Sequence, residues 1–473
     1  MGKRIILLLD GTWNDSEASD ADTNIVRLRE LILGSLDKPK NSDSVLAAKD
    51  QSTVIATERT YTFVEGGLKK NQITVLYYDR GVGTGGFFDK YLGGALGAGL
   101  ERNVRRAYRF LAGSYRPGDE IFVMGFSRGA YTARSLAGFI AVSGLLRAEV
   151  FTPVNESRAW YYYRTSPKDR FGSIAAKMSG YVHRPPDALI ECLAVFDTVG
   201  ARGIPIRWFW RENRDLFEFH DVDLSIIAKK NLQALAIDEH RESFAAAIWR
   251  QPKMLNISSE TEQVWFAGAH ADVGGGYVSE RSATTNDRLD DITLDWMVKR
   301  LKHHYKDFPI KSADLLGKKL DQRGAVESEQ HEARRGVYRA FPFAWRAVGN
   351  ASERFPKIAR QVYVCQDRYT HPINESVHIS VLERWGKRVK QGSFHRSYRP
   401  RNLGLAICRI GKTYRPVGEV PNDGLADPLL VVGWSGDVLS PSDKNDRETV
   451  RNLIDPFLFY PPSIRGDALT GEA

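Results

Sequence analysis

Residues 121–134 read IFVMGFSRGAYTAR, and their reading decides the fold. An apolar run ends on Gly125-Phe126-Ser127-Arg128-Gly129, a G-x-S-x-G, and a stretch of small residues follows. As bare letters the motif is weak. A strand before it and a helix after it are the context that gives it meaning. In that setting the chain turns sharply and lifts the serine out of the strand end. Glycines stand on either side because side chains there would strike the neighbouring backbone. A tight turn with an incidental serine is the alternative.

Working outward, short apolar runs alternate with helical patterns through about residue 310. Ile5–Leu9, Ile73–Tyr78, Ile121–Met124, Ala188–Phe196 and Val264–Phe266 read as buried strands. Residues 99–115 place Leu100, Val104, Ala107, Tyr108 and Leu111 on one helical face. ALAIDEHRESF, residues 234–244, also reads as helical. Strands alternating with helices predict an α/β fold, a mostly parallel sheet with helices on both faces. The domain expected over 1–310 carries a polar surface insertion at 36–70 and an aromatic one at 200–228. Residues 311–473 lose the rhythm and are expected as a C-terminal extension packed on the core.

A serine hydroxyl needs a base to become a nucleophile, and the base needs a carboxylate to orient it. Asp197 ends the strand in AVFDTVG, at the sheet edge where parallel sheets bind ligands; capping the next turn is its plainer role. Of ten histidines, three have suggestive settings. His270 follows a short strand and precedes three glycines in AGAHADVGGGY. His378 comes late in the chain, and His240 sits beside Asp238 and Glu239. His270 is preferred. His331, like the rest, sits among charges.

The first apolar run, IILLLDGTWND at 5–15, nearly matches a phosphatase opening of the form D-x-D-G-T. Leu8 occupies the place of the nucleophilic aspartate and cannot form an aspartyl-phosphate, so that chemistry is excluded. Asp79 with Gly81–Gly86 suggests a phosphate cradle, but no GKS or GKT follows. That stretch is expected to shape a lip of the cleft.

Net charge is +9 over 473 residues, with local basic density at Lys299–Lys306 and Arg384–Arg401. A solvated basic face is the ordinary reading, and peripheral contact with anionic phospholipid is the functional one. No helix-turn-helix, zinc finger or RNA-binding signature points to nucleic acid. Three scattered cysteines suggest neither a disulfide framework nor a zinc site, and no metal or organic cofactor is implied. The N-terminal apolar run is too short for a signal-peptide core, and nothing approaches a membrane span. A cytoplasmic protein is expected by default, with export by a signal-independent system as the alternative.

With these pieces placed, the chain resembles a known family. DGTWN, GFSRGAYTAR, AVFDTVG, ALAIDEHR and HADVGGGY occur in this order in an α/β-hydrolase-like domain family that includes the type VI secretion phospholipase effectors of the first lipase class. The resemblance covers roughly residues 3–300. It implies ester hydrolysis, with lipid esters as substrate, and a triad that maps onto Ser127, Asp197 and His270. Ala271 stands where the family often has serine. The oxyanion is expected to bind the N–H of Arg128 and that of Gly11 or Thr12. Asp10 is expected to bond the amides of its own loop, Asp272 either to bond within the histidine loop or to cap a turn, and Trp208, Phe209 and Trp210 either to line an acyl pocket or lid or to be ordinary core. A non-catalytic module on the same fold and an esterase for non-lipid esters are the alternatives.

Overall fold

The computed structural model describes residues 2–11, 22–37, 54–81, 95–165, 178–199, 227–249, 260–277, 287–311, 319–334, 339, 343–349, 362–363, 373–415 and 428–458. Ten strands form one sheet. Across it run Val438–Leu439, Leu430–Val432, Glu375–His378, Glu260–Phe266, Ala228–Ala236, Ile190–Phe196, then β4 (Glu120–Phe126), β1 (Arg4–Leu9), β3 (Leu68–Asp79) and β2 (Val54–Glu65). The eight inner strands are parallel, and each edge strand is antiparallel to its neighbour. This is the α/β architecture expected from the alternating pattern.

The pleat explains why the strands read as unbroken apolar runs. Ile6, Leu8, Phe122, Met124, Cys192 and Ala194 point to one face. Ile5, Leu7, Ile121, Val123, Leu193 and Val195 point to the other. Both faces are covered, so alternation is lost and every position is apolar. Helix α1 (Asn24–Ser35), capped by the Thr23 hydroxyl, and helix Leu289–His304 cover the first face. Helices α2 (Ala95–Ser114), α3 (Arg128–Ser143) and α4 (Pro153–Arg164) cover the second.

Three expectations change. Residues 228–236, which overlap the segment read as helical, are a central strand paired with parallel neighbours on both sides. The helical preference of Ala and Leu yields there to burial in the sheet. The second half of the 36–70 insertion is edge strand β2, paired with β3 for its whole length. The strand rhythm resumes after 310, because Glu375–His378, Leu430–Val432 and Val438–Leu439 extend the same sheet.

Strand order reverses around β1: β3 lies on one side, and β4 begins the run on the other. The crevice at the carboxyl ends of β1 and β4 is therefore the place where such sheets bind ligands. Asp10, Ser127 and Asp197 each stand one residue beyond the end of three adjacent strands, with Ser127 in the middle.

Candidate active site

Ser127 sits between β4 and α3 at φ 57° and ψ −119°, a left-handed backbone that a serine rarely adopts. The surrounding glycines make this turn possible. A Cβ on Gly129 would lie 1.9 Å from the Leu9 carbonyl oxygen, and one on Gly125 would lie 2.5 Å from the Gly129 carbonyl oxygen. The elbow is thus pressed directly onto the end of β1. Arg128 is the first residue of α3, at the positive end of the helix.

His270 opens the short helix His270–Gly274 at the end of strand Glu260–Phe266. Its Nε2 is 2.8 Å from Ser127 Oγ, and its Nδ1 is 2.6 Å from Asp197 Oδ2. The imidazole lies between the rings of Phe126 and Phe244, with centroids at 4.7 and 5.3 Å. Phe126 also packs so closely on Gly274 that a Cβ there would fall 1.9 Å from the ring, which accounts for that glycine in HADVGGGY. Asp197 is fully buried and Ser127 is 8% exposed. Burial opposes charge on Asp197, but the Arg346 guanidinium and the His270 hydrogen bond bring its pKa down to about 2. Burial lowers the His270 pKa and Asp197 partly restores it. An ionised carboxylate only accepts, so Nδ1 carries the proton and Nε2 is left to accept from the serine hydroxyl.

A sequence model of the type VI secretion phospholipase effector family, Tle1-like catalytic domain, matches residues 3–300. The chain belongs to this family. The Tle1-like region spans the serine, aspartate and histidine just described. An uncharacterized protein of Saccharomyces cerevisiae, YEL023C, is 27% identical over 224 residues, covering 43% of this chain and 27% of that protein. The solved Tle1 effector bound to the VgrG spike of a type 6 secretion system is 19% identical, with TM-score 0.28, covering 60% of this chain and 52% of that one. The chain thus matches only about half or less of the length of these relatives.

Other residues singled out in this Tle1-like chain fall into place unevenly. Asp10 gathers its own loop: Oδ1 accepts from the Gly11 N–H at 2.8 Å, and Oδ2 accepts from Thr23 Oγ1 at 2.8 Å and the Tyr78 hydroxyl at 3.1 Å. Gly11 does stand at the elbow, where a Cβ on it would be 2.9 Å from Ser127 Cβ. Its N–H donates to Asp10 Oδ1 in this structure. Thr12, Trp208, Phe209 and Trp210 lie outside the described residues. Asp272 Oδ2 accepts from the Ala269 N–H at 2.9 Å, and so fastens the first turn of the histidine helix. His378 caps helix Ile379–Arg384, bonds Ser380 Oγ at 2.8 Å and stacks on Phe266 at 4.9 Å. Burial pushes its pKa down to about 3. His240 packs between Phe343 and Trp345. Asp79 forms a buried forked pair with Arg106 and accepts from the Gly81 N–H.

Several residues that matter here were passed over by the sequence reading. Asp238 and Glu239 lie just beyond the strand Ala228–Ala236, which the helical look of the segment conceals in the sequence. Asp238 accepts from the Gly268 N–H, and Glu239 forks onto Arg241 while reaching the His270 N–H at 3.4 Å. His331 holds Asp272 Oδ1 through its Nδ1 at 2.6 Å, and its ring stacks on Tyr277. Arg346 grips Asp197 and lies outside the matched region. Neither His331 nor Arg346 has a local motif that would reveal it. Among the described residues, no group of three or more His, Cys, Asp or Glu side chains could hold a metal ion, and no helix is long and apolar enough to cross a membrane.

Proposed function

We propose that this chain is a serine acyl hydrolase that cleaves carboxylic esters of phospholipids. The observation that carries the reading is the unbroken hydrogen-bonded line Asp197–His270–Ser127, with distances of 2.6 and 2.8 Å, on a left-handed elbow at the sheet's switch point. Membership in a phospholipase effector family supports the substrate class.

In this mechanism Ser127 Oγ attacks the acyl carbonyl while His270 Nε2 takes its proton. The imidazolium then protonates the leaving alkoxide, and water attacks the acyl-enzyme with the same base. Asp197 holds the tautomer and stabilises the imidazolium. The Arg128 N–H, at the N-terminus of α3, binds the oxyanion. Each such donor contributes about 10²–10³ in rate. With Gly11 engaged by Asp10, Thr12 is the remaining candidate for the second donor.

The basic stretches bear on the lipid surface unequally. In Lys299–Lys306, Lys299 pairs with Asp295, and Arg300 and His304 pair with Glu262. The hairpin Arg388–Ser397 instead exposes Arg388 and Arg396, with Phe394 62% exposed beneath the Arg396 guanidinium. Contact with an anionic bilayer is assigned to this hairpin.

A fluorophosphonate probe tests the reading directly. Wild type should label and Ser127→Ala should not, and only wild type should release fatty acid from phospholipid vesicles. Equal labelling of the two proteins, or none of either, would sink the hydrolase reading. Labelling with turnover of soluble esters alone would remove the phospholipid from it.

A further inference from the structure

Arg346, in the two-residue strand Trp345–Arg346, comes from a part of the chain beyond the matched family region, yet it reaches the centre of the site. It is 4% exposed, and Asp197 is not exposed at all. Nη1 donates to Asp197 Oδ1 at 2.5 Å and to the Ala236 carbonyl at 2.9 Å. Nη2 donates to Asp197 Oδ2 at 3.0 Å and to the Phe244 carbonyl at 2.6 Å. Nε donates to the same Phe244 carbonyl at 3.2 Å. All five guanidinium N–H groups therefore have acceptors.

The carboxylate is filled equally well. Oδ1 accepts from the Ala236 N–H and Arg346, and Oδ2 accepts from His270 Nδ1 and Arg346. Asp197 also sits at φ 37°, so its own backbone does not favour this pose. We infer that Arg346 is a positioning residue for the proposed reaction: it fixes the Asp197 carboxylate against His270 and, through Phe244, fixes one wall of the imidazole slot.

This inference rests on the reading of Ser127, His270 and Asp197 as one unit. Two physical consequences follow. The first is geometric. Arg346 clamps both Asp197 and the carbonyl of Phe244, whose ring stands edge-on to the imidazole. Loosening it lets the base drift from Ser127, and small misplacements are costly in rate. The second is electrostatic. Arg346 and the His270 hydrogen bond together hold the buried Asp197 ionised, and the histidine bond and the Ala236 N–H remain when Arg346 is removed. The positive charge of Arg346 weakens the pull of Asp197 on the imidazolium, so His270 is less basic than it would be beside a lone carboxylate. Among the described residues, the other charged groups acting on the imidazole are Arg241 and Glu239, which pair with each other. Arg346 is thus the cation whose removal changes the charge beside Asp197.

A lysine at 346 can supply charge but not the fork that spans both carboxylate oxygens and two carbonyls. The test compares Arg346→Gln and Arg346→Lys with wild type, using p-nitrophenyl butyrate turnover, pH profiles and thermal melting. Arg346→Gln should lose about 10- to 100-fold in kcat with KM within about twofold. Its acid limb in kcat/KM should move to higher pH, because His270 becomes more basic. Arg346→Lys should recover part of kcat and return the limb toward wild type. A folded Arg346→Gln with wild-type kcat and an unmoved limb would overturn the inference. So would a fall in kcat with an unmoved limb that lysine does not relieve. If the glutamine variant does not fold, the lysine variant decides, since wild-type kcat without the fork would also overturn it. Wild type that does not label with fluorophosphonate fails the functional reading itself, which separates the two failures.

Discussion

Two buried aspartates flank the serine elbow, one on each neighbouring strand, and they behave in opposite ways. Asp197 follows the end of the strand on one side of β4, and Asp10 follows the end of β1 on the other. Both are nearly or fully inaccessible to solvent. Asp197 meets a guanidinium and an imidazole, and its pKa falls to about 2. Asp10 meets the hydroxyls of Thr23 and Tyr78 and the Gly11 amide, and burial lifts its pKa to about 7 despite those bonds and the charge of Arg80. Position at a strand end therefore does not define a catalytic carboxylate. A guanidinium bonded to both oxygens makes one a fixed charge, while hydroxyl and amide bonds with Arg80 acting only through its charge leave the other a carboxyl poised between charged and neutral forms.

The widest expected separation is in rate. Asp197→Asn removes the charge that orients and supports His270, and esterase kcat should fall by about 10⁴-fold. Asp10→Asn should leave turnover within about tenfold and should still label with fluorophosphonate. Comparable losses in the two variants would erase the distinction. The next effect is on pH. In the proposed mechanism neutral His270 is the active form, and burial lowers its pKa despite Asp197. Protonation therefore sets in below the ordinary 6.5, and the acid limb of wild-type kcat/KM should have its midpoint below that value. A midpoint at or above 6.5 would show that Asp197 outweighs burial.

The same pair shows what the sequence made legible. Ser127, Asp197 and His270 could be picked out because each follows an apolar strand, and strand ends of a parallel sheet meet along one edge. Asp10 could be cleared of phosphatase chemistry from Leu8 alone. Arg346 carried no such sign. It stands 149 residues from Asp197 in the chain, in a stretch of aromatic and apolar neighbours, and only the folded chain brings the two together. The preference of Ala and Leu for helix hid the strand Ala228–Ala236, whose end carries Asp238 and Glu239. His331 sits among local charges in the sequence, yet the carboxylate it bonds, Asp272, is brought from 59 residues away. Periodicity reports which face is buried, not which distant side chain arrives there.

The smallest effect is the most discriminating for Asp10. Its native pKa of about 7 exceeds the ordinary 3.8, so between those values the folded protein holds a proton that the unfolded chain has released. Stability must then decline as pH rises through that window, with the full cost present above about 7. Asparagine keeps an acceptor for the Gly11 N–H and carries no charge, so it should abolish that slope. The melting temperature of Asp10→Asn relative to wild type should rise from pH 5 to pH 8, by about 2 °C or more. Asp197→Asn should show no such rise, because the pKa of Asp197 lies below this range and its charge is present throughout. A melting difference for Asp10→Asn that stays flat across this range would mean that Asp10 is ionised as firmly as Asp197. The contrast between the two sides of the elbow would then rest on Arg346 and geometry alone.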